Sequence, residues 1–134
     1  MNLNSFKDAL EERLQEIDKY ASNPPDIKPL SHNDSLDYDK IMQEYSRVVT
    51  LSQELNRIIF ASEYLQSKTE EAISMLSSNL EIELKQKTVL KRGLDLLKCR
   101  TYPLYGEQKN YTNMIMFYQG RRKDVRYRGE ILNG

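Results

Sequence analysis

A mainly α protein is what this sequence predicts. It reads as an N-terminal amphipathic helix, a proline linker, one very long helix or helical hairpin forming a coiled coil or bundle, and a short basic C-terminal appendage, helix or β-hairpin. Three observations predict it. From Leu30 to Arg92 there is neither proline nor glycine, a run of 63 residues rich in Glu, Gln, Lys, Leu and Ser that lacks both strong helix breakers. Apolar residues recur at steps of three and four along most of the chain. Pro24, Pro25 and Pro29 cluster at a single place and separate a short periodic segment from a long one.

Residues 1–21 carry the first helix. Leu3, Phe6, Leu10, Leu14, Ile17 and Ala21 line one face, and Lys7, Glu11, Glu12, Arg13 and Glu16 form a solvated outer face. Residues 22–36 are the linker, where proline removes backbone donors and forces extended geometry on the residue before it.

Residues 37–98 are the long segment, with helix expected from about Asp37 to about Leu97. Asp34, Ser35 or Asp37 can supply its N-cap oxygen, and Lys98 and Arg100 suit the negative end of its dipole. Unbroken, it would be a rod of roughly 90 Å at about 1.5 Å per residue, so it must pair with something or fold back. A heptad seam runs through Ile41, Tyr45, Val48, Ser52, Leu55, Ile59, Ser62, Gln66, Thr69, Ile73, Leu76, Leu80, Glu83, Lys87, Leu90, Leu94 and Leu97, and eleven of the seventeen are apolar. The seam weakens between Ser62 and Thr69, where the parallel row Leu51, Ile58, Leu65 and Ala72 carries the apolar face onward. Met42, Val49, Phe60, Tyr64, Met75, Ile82 and Val89 lie off the seam and widen the face, which favours a bundle of three or more helices. A hairpin is the competing reading, with the break at Ser67-Lys68-Thr69-Glu70, a capping-box pattern. Leu55, Ile59, Leu76, Leu80, Leu90 and Leu94 are the expected carriers of oligomerisation.

Residues 99–134 are basic and tyrosine-rich. Pro103 and Gly106 bracket an expected turn, before which the long helix should end. Residues 110–132 fit either a helix followed by a tail or a β-hairpin.

Net charge is zero, but residues 1–84 hold 16 acidic and 8 basic side chains while residues 85–134 hold 4 and 12, so the halves carry −8 and +8. The basic half contributes Lys91, Arg92, Arg121, Arg122, Lys123, Arg126 and Arg128, with Tyr127 and other aromatics interleaved. Guanidinium forks suit phosphate oxygens and rings can stack on bases, so this set is the candidate contact for single-stranded nucleic acid or another anionic partner. Docking of the basic end onto the acidic half of a second copy or of a partner remains the alternative.

No residue set points to catalysis, a cofactor or a metal. His32 is the single histidine and Cys99 the single cysteine, and they read as a solvated loop residue and a structural thiol rather than a dyad. Asp34, Asp37 and Asp39 lack the glycine of a calcium loop, and the five glycines are too dispersed to cradle phosphate. One cysteine allows no intrachain disulfide, the first residues lack the apolar run of a signal peptide, and no stretch is long and apolar enough to span a membrane. These features predict an intracellular protein, cytoplasmic or nuclear and not secreted. The expected function is non-enzymatic assembly: oligomerisation or pairing through the long helix, with self or another helical protein as partner, and presentation of the basic end. Accessory binding of single-stranded nucleic acid is the alternative.

Overall fold

The computed structural model describes residues 3–25, 37–76 and 81–133, with side chains throughout except at 81–83 and 125–133. These residues form three helices and no strand: α1 (Leu3–Ser22), α2 (Tyr38–Met75) and α3 (Glu81–Asn133). Most of the proline linker, with His32, Asp34 and Ser35, lies outside the described residues.

The long segment is a hairpin rather than one rod. Asp37 caps α2: its carboxylate accepts from the Asp39 amide at 3.0 Å and its carbonyl accepts the first helical bond, from Ile41 at 3.1 Å. At the far end the Leu76 amide is shared between the carbonyls of Ala72 and Ile73, each at 3.2 Å, and Leu76 itself lies in a turn. The break thus falls after Met75, not at Ser67–Glu70. Thr69 is inside the helix, and its hydroxyl donates to the Leu65 carbonyl at 2.7 Å instead of capping a new N-terminus. Ser77-Ser78-Asn79, which follows, lies outside the described residues.

Two compact units divide the chain: Met1–Pro24 with Asn56–Tyr105, and Pro25–Leu55 with Gly106–Gly134. In the first, α2 and α3 run antiparallel, since Glu70 pairs with Lys98 and Glu63 with Tyr105. There α1 runs parallel to α3, with Leu10 against Gly93 and Asp18 against Arg100, and it meets α2 through Glu16 and Arg57. Up-down-up order with short ion pairs along the seams is the arrangement of a three-helix bundle. In the second unit, Tyr45 of α2 receives the Gln119 amide at 3.3 Å and lies under the Arg122 guanidinium at 5.2 Å.

The heptad rule holds through all three helices. Leu10 and Ile17 are buried in α1; Ile41, Val48, Leu55, Ser62 and Thr69 of α2, and Leu76 directly after it, each seven residues after the last, are buried as well. Where the seam was expected to fail, Ser62 and Thr69 are fully buried, because each hydroxyl is satisfied by the carbonyl four residues earlier. The row Ile58, Leu65 and Ala72 does not replace the seam: Ile58 and Ala72 are buried beside it, giving α2 the wider apolar stripe that two neighbouring helices require.

The turn expected at Pro103 and Gly106 is absent, and neither the ending near Leu97 nor a C-terminal β-hairpin occurs. α3 continues to Asn133 with Pro103 inside it. Its own heptad explains this: Leu90, Leu97, Leu104, Tyr111 and Tyr118 recur at sevens and all are buried. An internal proline costs about 3 kcal/mol. Full burial of Leu97 and Leu104 on either side returns about 1.5–3 kcal/mol for each side chain, enough to hold the helix together through it. Thr101 adds a bond from its hydroxyl to the Leu97 carbonyl at 2.6 Å.

Candidate interaction surfaces

Leu55, Ile59, Leu76, Leu90 and Leu94, the residues expected to carry oligomerisation, are all buried against this chain's own helices, and Leu80 lies outside the described residues. Their apolar surface is already removed from water within one copy. Contact with another chain through them would first require opening the bundle.

The basic set divides between the two units. In the first, Lys91 and Arg92 flank a shallow groove on α3 with Lys87, Leu84 and Asp95, while Lys85 lines another with Lys7 and Leu3 of α1. In the second, the Arg121 guanidinium lies 6.0 Å from the Phe117 ring centre, and Arg122 covers Tyr45. Lys123 is exposed, and the side chains of Arg126, Tyr127 and Arg128 lie outside those described. Lys7 comes beside Lys85 only once the chain is folded, whereas Lys85, Lys87, Lys91 and Arg92 are near one another in the sequence.

The separation of charge along the sequence is used inside the first unit. Arg100 Nη1 donates to Asp18 Oδ2 at 2.7 Å and Lys98 Nζ to Glu70 Oε1 at 2.5 Å, so bases of α3 meet acids of α1 and α2. Arg57 Nη2 reaches Glu16 Oε1 at 2.6 Å, and Arg13 holds the other oxygen of the same carboxylate. Exposed pairs of this kind contribute about 0–1 kcal/mol each, so they fix which helices lie side by side more than they stabilise the fold. Lys98 and Arg100, expected at a helix end, sit mid-helix and act here.

Aromatic residues are the largest apolar groups left outside. Phe60 is 73% exposed, Tyr64 60% and Tyr102 77%. Phe60, Tyr64, Met75 and Val89 therefore do not widen the buried face; of the off-seam residues, Met42 and Val49 are half-buried. Phe60 precedes Glu63 by one turn, and Tyr102 precedes Tyr105 by one turn. The Tyr105 hydroxyl donates to Glu63 Oε1 at 2.7 Å, which sets these residues level across the α2–α3 groove; because the helices are antiparallel, Phe60 lies one turn to one side of that level and Tyr102 one turn to the other. That hydrogen bond, then desolvation and the Glu63 charge, pushes the Tyr105 hydroxyl up to about 12 from its ordinary 10. The tyrosine-rich C-terminal end is likewise divided by burial: Tyr111 and Tyr118 belong to the core, and Tyr118 meets Phe117 edge to face at 5.4 Å.

Among the described residues no group of three His, Cys, Asp or Glu side chains is placed to hold a metal, no helix is long and apolar enough to cross a membrane, and Cys99 is exposed as a free thiol. No protein-family model, curated protein or solved structure matches the chain.

Proposed function

We propose that this is a non-enzymatic interaction protein that assembles through the outer face of its helices, working in a reducing intracellular compartment, cytoplasmic or nuclear. One observation carries the reading: Phe60 and Tyr102, 73% and 77% exposed, flank the Tyr105–Glu63 bond, one turn to either side of it. Covering an aromatic side chain of this size is worth about 1.5–3 kcal/mol, and aromatic residues are enriched where proteins meet. Light-scattering mass across a range of concentrations and salt tests it. An oligomer that survives high salt is expected; a compact monomer under every condition would overturn the proposal.

Binding of single-stranded nucleic acid has narrower support, the row of Lys87 and Lys91 one turn apart on α3 with Arg92 beside them, Lys85 lining a different groove. Against it, Arg121 and Arg122 rest on rings of their own chain. Affinity for an oligonucleotide should fall steeply with salt if this row binds phosphates, and a salt-independent affinity excludes it.

A further inference from the structure

Resting on the assembly reading, we infer that the partner for the Phe60–Tyr102 face is a second copy of this chain, docked so that α2 of each copy lies over α3 of the other. In the first unit this face has an acidic and a basic edge. On α2, Glu63 and Glu70 follow one another at an interval of seven; on α3, Lys91 and Lys98 do the same. Glu70 and Lys98 are only half covered by their mutual pair, at 54% and 47% side-chain exposure, so each has room for a second partner.

A two-fold axis lying in the interface can run in two directions. Perpendicular to the helices, it sets α2 over α2 and brings the glutamates of one copy onto those of the other. Along the helices, it sets α2 over the second copy's α3 at the same level, because Glu70 is level with Lys98 and Glu63 with Tyr105 within each copy. Like charges facing one another disfavour the first arrangement and opposite charges favour the second. In the second, α2 and α3 of both copies form a four-helix bundle whose neighbours are all antiparallel; Phe60 of the two copies share one level, Tyr102 of the two copies share another about two turns away, and Tyr105 lies between them, an aromatic centre with a charged rim.

Sedimentation equilibrium on the full chain tests this with two sets of variants. Phe60→Ser with Tyr102→Ser should weaken the dimer by at least about tenfold while helicity is unchanged, since both side chains are exposed in the single copy. Glu70→Lys alone and Lys98→Glu alone should each weaken self-association, whereas an equal mixture of these two chains should associate more tightly than either by itself. The intrachain pair is broken in both chains of the mixture, so recovery there can only come from pairing between copies. An oligomer that persists in the Phe60/Tyr102 variant, or a mixture no tighter than its components, overturns this docking and leaves assembly through another face standing. A wild-type chain that stays monomeric throughout overturns both.

Discussion

Leu10 occupies the space that Gly93 leaves open: a β carbon built on Gly93 would lie 2.8 Å from Leu10 Cδ1. This contact sets how closely α1 approaches α3, and it gives a glycine in mid-helix a reason to be there. Gly93→Leu should push α1 off and cost about 1–3 kcal/mol in chemical denaturation. Gly106 and Gly120 have nothing within 4 Å of a built β carbon, so Gly106→Ala or Gly120→Ala should raise stability by up to about 1 kcal/mol through helix propensity alone.

Pro103 is exposed and makes the helix forgo one backbone bond without gaining a buried contact. Pro103→Ala should therefore stabilise the chain by up to about 3 kcal/mol, read as a higher denaturation midpoint. A loss of stability would mean that α3 does not run unbroken through this position.

The Tyr105 hydroxyl, pushed up to about 12, binds its proton more tightly in the folded chain than in the unfolded one. Its contribution is complete below about pH 10, the unfolded value, and is lost as pH rises from there through about 12. Phenolate absorbance should contain one late-titrating tyrosine that disappears in Tyr105→Phe. Glu63→Gln should bring its midpoint down, and an unchanged midpoint would contradict the bond.

The buried hydroxyls of Ser62, Thr69 and Thr101 are spent on carbonyls of their own helix. Those carbonyls belong to helix interiors and keep their backbone partners, so Thr101→Val should change stability by less than about 1.5 kcal/mol. Thr101→Asp, which buries a charge without a partner, should unfold the region, and thermal melts of the two variants make the comparison.

The helical class, the first helix and most of the buried face were legible in the sequence, because a period of three and four is imposed directly by helix geometry, while Asp37 was one of three candidates for the cap of α2. The end of α2 at Met75 was not, since no proline or glycine stands near it in the sequence. Pro103 misled in the opposite direction: a local breaker was outweighed by Leu97, Leu104, Tyr111 and Tyr118, whose spacing of seven continues from Leu90 and was there to be read. For the surface, a seam that can close a coiled coil between chains is indistinguishable in sequence from one that closes a hairpin on itself. The outward position of Phe60, Tyr64 and Tyr102 follows only once the hairpin fixes which sides of α2 and α3 are covered.

The most direct test separates the seam from the outer face. Leu55→Asp with Leu94→Asp would place two charges among buried side chains of a single copy, and circular dichroism with light scattering on this variant reads fold and assembly together. If the seam closes each chain upon itself, helicity collapses, in contrast to Phe60→Ser with Tyr102→Ser, which keeps its helicity and loses mass. A Leu55/Leu94 variant that stays fully helical and merely becomes monomeric would contradict this, because the seam would then face another chain.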